Sequence, residues 1–131
     1  SLTLLDGDGQ PAEFAQSGRP HAIRIRLNAE HPVFGPEVRV SFLDQHGVLV
    51  SEVSTRSRDI RIDQVHGART LTLAIDSLPL VEGTYEITCA VLDDSGEHEL
   101  DVRSRFVRFD VLKGDTDDRG LVTLGGTWTV D

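Results

Sequence analysis

The sequence predicts an all-β chain, an antiparallel β-sandwich of jelly-roll or immunoglobulin-like character. Three observations lead there. Apolar residues recur at every second position in several separate segments, Gly- and Asx-rich turns punctuate those segments, and no stretch carries the spacing of an amphipathic helix. At 131 residues the chain fits a single domain, spanning 1–131, and can bury a core without staples.

Each element follows from its own pattern. An opening strand around Leu4-Leu5 runs into the turn Asp6-Gly7-Asp8-Gly9. Ile23, Ile25 and Leu27 then alternate with Arg24, Arg26 and Asn28, bracketed by Gly18-Arg19-Pro20 and Val33-Phe34-Gly35-Pro36. Val38, Val40 and Phe42 alternate with Arg39 and Ser41 before the turn Gln45-His46-Gly47. Residues 55–68 are polar and read as a connection between sheets. Leu71, Leu73 and Ile75 resume the period, followed by Tyr85, Ile87, Cys89 and Val91, the turn Asp94-Ser95-Gly96, and Val107, Phe109 and Val111. Such alternation places one face of each strand on a core and the other in water, and the turn residues supply the positive φ that tight hairpins require. After Lys113 a solvated loop, 114–120, leads into Gly120–Val130, expected to form a last strand or two and holding Trp128, the single tryptophan.

Composition removes several function classes. The lone Cys89 has no intrachain partner and is expected to be a buried, inert thiol. The formal charge of −9, from 13 basic and 22 acidic residues, argues against nucleic acid or an anionic membrane as partner. No apolar run approaches a bilayer span and no signal peptide is visible. The absence of methionine is expected of a piece of a longer protein. The only lysine, Lys113, precedes Gly114 rather than Ser or Thr, so no P-loop exists here.

Metal and catalytic chemistry find little footing, and no cofactor is expected. Asp6-Gly7-Asp8-Gly9-Gln10 starts like a calcium loop, but Pro11 stands where that loop needs Gly and Ser17 where it needs Glu. Asp115, Asp117 and Asp118 read as a charged loop with loose calcium binding as the alternative. The five histidines lack zinc-ligand spacing, and no Gly-x-Ser-x-Gly elbow occurs. Paired carboxylates on opposed strands, such as Glu86 with Asp110, could make a glycosidase pair, but chance pairing is expected among 22 acidic residues, so the chain is read as non-catalytic.

A binding face is what remains. If strands near 38–43, 84–92 and 105–111 share a sheet, their outward residues are Arg39, Ser41, Glu86, Thr88, Ala90, Phe106, Arg108 and Asp110. Small residues flanked by guanidinium and carboxylate groups, with one aromatic, suit vicinal sugar hydroxyls and a sugar ring's C–H face. The expected carbohydrate site is therefore Arg39, Ser41, Glu86, Thr88, Phe106 and Arg108, against the alternative of an ordinary solvated sheet face. Changing Arg39 or Arg108 to Ala is expected to weaken binding and leave the melting temperature within a few degrees. Arg24, Arg26 and Thr72 form a weaker second candidate on the opposite sheet.

An ordered set of landmarks carries a family resemblance. It comprises Leu4-Leu5-Asp6-Gly7-Asp8-Gly9, then Leu78-Pro79-Leu80-Val81-Glu82-Gly83-Thr84-Tyr85, then Phe109-Asp110-Val111, and last Gly120-Leu121-Val122-Thr123-Leu124 with Trp128. Together these resemble the C-terminal domain of Wzt-type proteins, the ATP-binding subunits of ABC transporters that export O-antigen polysaccharide. The resemblance implies a non-catalytic sandwich that recognises the terminal part of the polysaccharide on the cytoplasmic side of the inner membrane. It also implies an ATPase domain in the same full-length chain and a membrane transporter subunit as partner. A homodimer built by strand exchange through residues 120–131 is implied too, with Trp128 as a packing anchor. The alternative from another class is a structural or adhesive sandwich that binds no sugar.

Overall fold

In a computed structural model, residues 1–130 are described, with side chains for all of them except 101–106. Eight strands follow one another: β1 (Leu2–Leu5), β2 (Phe14–Gln16), β3 (His21–Phe34), β4 (Glu37–Asp44), β5 (Leu49–Ser54), β6 (Gln64–Ile75), β7 (Gly83–Leu92) and β8 (Glu99–Leu112). One 3-10 turn, Arg56–Arg58, interrupts the β5–β6 connection. Among the described residues no helix is long and apolar enough to cross a membrane.

Two sheets form, a three-stranded one in the order β1-β3-β6 and a five-stranded one in the order β2-β8-β7-β4-β5. β4, β7 and β8 lie in one sheet, the grouping that the candidate face presupposes. Between the sheets the described residues form an apolar cluster. Leu2, Leu4, Ile23 and Ile25 enter it from the small sheet, and Val38, Val40, Phe42, Ile87 and Val111 from the large one. Phe109 sits at its centre, edge-on to Phe42 with centroids 6.4 Å apart and tilted against Tyr85 at 6.1 Å. Cys89 is buried in this cluster, as its place in the alternation requires.

One turn design recurs. Asp6, Asp44 and Asp93 each accept, through the backbone carbonyl, the N–H of a glycine three residues on, at 3.0 Å in all three cases. Those glycines adopt φ of 78°, 80° and 75°, a region L side chains avoid. The Asp6 carboxylate also accepts the backbone N–H groups of Asp8 (2.9 Å) and Gln10 (3.0 Å), and Asp44 does the same for His46 (2.8 Å) and Val48 (2.9 Å). The calcium-like spelling at residues 6–10 is thus a carboxylate committed to its own turn.

Three features differ from the sequence expectation. The pairing is not antiparallel throughout, because the three-residue β2 lies parallel to β8. Strand β6 begins at Gln64, so the connection between sheets is 55–63 and its last residues are ladder. The tail forms no strand. It is held by one bridge, Leu80 to Val122, with Thr123 N–H donating to Pro79 O (2.7 Å) and Val81 N–H to Leu121 O (3.0 Å). Beyond Thr123 none of the described residues pairs with the tail, and Leu124, Trp128 and Val130 stand 94–96% exposed.

Candidate functional site

The outer face of the five-stranded sheet is laid out by register. Ser54, Arg39 and Ala90 form one row, Glu52, Ser41 and Thr88 the next, and Leu43, Glu86 and Arg108 a third. A fourth row holds Thr84, Asp110 and Phe14. Their strand neighbours Val40, Phe42, Tyr85, Ile87, Phe109 and Ala15 are buried in the core, so these side chains face away from it. Of the predicted site residues, Arg39, Ser41, Glu86, Thr88 and Arg108 therefore share one face. The Phe106 side chain lies outside the described residues.

The polar groups are wired unevenly. Ser41 Oγ donates to Glu52 Oε2 at 3.0 Å, and Arg39 Nε lies 3.5 Å from Glu52 Oε1. Arg39 also donates through Nη2 to both carboxylate oxygens of Glu37, at 3.4 and 3.3 Å. Glu37 stands two residues earlier on the same face but is buried, and the Arg56 guanidinium reaches over this end of the sheet. Arg56 Nη2 donates to Gly35 O at 3.2 Å and to Asp94 O. At the opposite end Thr84 Oγ1 donates to Asp110 Oδ1 at 2.8 Å, and Arg108 is exposed. Glu86 is buried even though it faces outward, and it has interaction partners of its own.

Chemically, this face offers hydroxyls at Ser41, Thr84 and Thr88, an open guanidinium at Arg108, and carboxylates at Glu52 and Asp110. Phe14, 55% exposed beside Asp110, supplies an apolar ring at the sheet edge. Sequence analysis missed Phe14 and Glu52. Phe14 belongs to a three-residue strand too short to show a period, joined to β8 across nearly a hundred residues. Glu52 follows Val50 and Ser51 in a strand whose alternation is blurred by partial exposure. The only available signal was the apolar–polar change between turns at residues 47 and 55.

The acidic tail loop divides its carboxylates among different partners. Asp115 pairs with Arg19 at 3.6 Å, Asp117 with Lys113, and Asp118 accepts from Thr123. Asp117 is the group that raises the Lys113 pKa, by hydrogen bond first and charge second. Among the described residues no cluster of three His, Cys, Asp or Glu is placed to hold a metal ion.

Comparison with known proteins adds an independent line. A search of solved structures finds the C-terminal domain of Wzt, which superposes with a TM-score of 0.88 over 100% of this chain and 81% of that one, at 12% identity. A CARDB domain from Pyrococcus furiosus, solved with di-metal ions, aligns at 18% identity over 87% of this chain and 88% of its own. Its TM-score of 0.47 is too low to bear on fold or metal binding here. No curated protein of similar sequence was found. The family model of the Wzt C-terminal domain matches residues 1–124, nearly the whole chain. The landmarks, the sandwich and that match converge: this chain belongs to the Wzt C-terminal domain family, an O-antigen-related domain of ABC transporters.

Proposed function

We propose that the chain is a non-catalytic carbohydrate-binding domain that takes the terminal part of an O-antigen polysaccharide and couples it to export by an ABC transporter. The observation that carries this reading is the outer face of the five-stranded sheet. There Ser41 and Thr88 stand opposite each other in register and Arg108 lies in the next row beside Glu86, with Glu52 and Phe14 at its margins. Such a surface gives donors and acceptors to hydroxyl pairs and apolar support to a sugar ring. Arg108 is the central contact, together with Arg39, Ser41, Glu86 and Thr88, and Phe106 is kept as a candidate on the sequence pattern alone. In the full-length protein an ATPase domain shares the chain, a membrane transporter subunit is the partner, and the domain works at the cytoplasmic face of the inner membrane.

The tail supports a homodimer. Residues 121–130 have the composition of a strand, and their apolar side chains at Leu124, Trp128 and Val130 are left in solvent. The 12-residue β6 is a free edge of the small sheet, so a second copy's tail has an unpaired ladder to join.

Titration of the cognate O-polysaccharide against Arg108→Ala tests the site. A charge-assisted hydrogen bond contributes about 1.5–3 kcal/mol, so affinity should fall roughly tenfold or more with the fold intact. No saturable binding by the parent chain would favour a structural module. Removing residues 120–131 should yield monomer or insoluble protein, and a well-behaved dimer after trimming would refute the exchange.

A further inference from the structure

The outer face of the three-stranded sheet has a composition unlike the rest of this acidic chain. Register sets Thr3, Arg24 and Thr72 in one row and Arg26 opposite Thr70 in the next, with Ala22 and Ala74 flanking. No Asp or Glu stands in these rows, although the chain carries 22 of them. Neither guanidinium meets a carboxylate among the described residues. Arg24 is also half-buried, and its Nε is closed off from solvent with no hydrogen-bond partner. An N–H left in that condition is disfavoured, so an acceptor that draws the guanidinium off the sheet relieves a defect as well as making a contact.

We propose that this face binds the carboxylate of an acidic sugar unit, held between Arg24 and Arg26. The two residues are one strand repeat apart, roughly 7 Å, which lets one guanidinium grip a carboxylate side-on while the other reaches a neighbouring oxygen. The alanines keep the floor low enough for a pyranose ring to lie flat, and the hydroxyls of Thr3, Thr70 and Thr72 meet its hydroxyl groups. Charge complementarity selects the acidic sugar over a neutral one, and the threonine rows select a sugar over a bare anion. The inference rests on the carbohydrate reading for the molecule that carries the anion, but it uses a different face.

The test follows the arginine side-chain Nε–H signals of the labelled 131-residue chain by NMR during titration with trigalacturonate, maltotriose and inorganic phosphate. Trigalacturonate should move the Arg24 and Arg26 signals saturably, and maltotriose should not. Its affinity should fall at least tenfold in Arg24→Gln and in Arg26→Gln and stay unchanged in Arg58→Gln, a control on the 3-10 turn. Unmoved Arg24 and Arg26 signals, or an equal response to phosphate, would overturn the assignment. Because the signals are read in the parent chain, a variant that folds poorly does not spare the proposal. The two readings also fail separately. If trigalacturonate leaves both signals unmoved while O-polysaccharide binding depends on Arg108, this site falls and the large-sheet face stands. If trigalacturonate binding depends on Arg24 and O-polysaccharide binding ignores Arg108, this site stands and the large-sheet face falls.

Discussion

Arg39→Ala should unfold more easily than its place on an open sheet face suggests. The ion pair of Arg39 with Glu37 puts the expected effect above the few degrees that the sequence alone suggests. Glu37 keeps only 6% of its side chain in solvent, and Arg39, with 32%, is the cation its carboxylate meets. Breaking a fully buried pair by removing one partner costs about 3–5 kcal/mol, whereas an exposed pair contributes about 0–1 kcal/mol. Arg39 is about a third open and its contacts to Glu37 are long, at 3.3 and 3.4 Å, so solvent screening places the loss between those limits. A loss of about 1.5–2.5 kcal/mol follows. At roughly 4 °C per kcal/mol for a chain of this size, the midpoint should drop by about 6–10 °C. Urea denaturation of Arg39→Ala, Glu37→Gln and the double variant measures the pair directly. The double variant should recover at least about 1 kcal/mol relative to additivity, because a neutral amide needs no counter-charge. A midpoint within about 2 °C of the parent, or additivity within about 0.5 kcal/mol, would refute the argument. Arg108→Ala is consequently the cleaner probe of binding, since Arg108 is exposed.

Other consequences are equally direct. Tyr85 donates its hydroxyl to Val81 O at 2.7 Å and lies 3.2 Å from Leu121 O, so Tyr85→Phe should cost about 1 kcal/mol and speed amide exchange at Thr123. Burial first, and the Asp44 charge second, raise the Tyr85 pKa above 10.0, so its contribution is complete below pH 10 and lost as pH rises further. Tyr85→Phe should remove that alkaline loss, and identical pH profiles would contradict it. The Asp93 carboxyl is lowered from 3.8 to about 2, chiefly by the hydroxyl of Ser95 and then by His98. Its stabilising contribution is therefore present above pH 4 and lost as pH falls toward 2, and a carboxyl NMR titration midpoint near 4 would refute the contact. His21 is buried, accepting Gln16 N–H at Nε2 (3.1 Å) and facing Leu5 O through Nδ1 (3.1 Å), which makes Nδ1 the protonated nitrogen. His21→Phe should destabilise the chain by about 1–3 kcal/mol by orphaning both backbone groups, and an unchanged urea midpoint would show they find other partners.

Much of this was legible in the order of residues alone. Strand alternation depends on local geometry, so Val38-Val40-Phe42, Tyr85-Ile87-Cys89 and Val107-Phe109-Val111 declared their buried sides without any partner being known, and with them the outward direction of Arg39, Ser41, Thr88 and Arg108. The Asp-to-Gly turns were readable for the same reason, since a positive φ and an Asx hydrogen bond involve only five consecutive residues.

What tertiary structure decided was everything that depends on which strands become neighbours. Phe14 joins the candidate face only because β2 pairs with β8, and Glu37 is buried only because the Arg56 segment and the β7–β8 turn close over its end of the sheet. The tail shows the limit in the other direction. Residues 120–130 have a strand's composition, but a strand exists only where another backbone completes its hydrogen bonds, and among the described residues none pairs with the tail beyond Thr123.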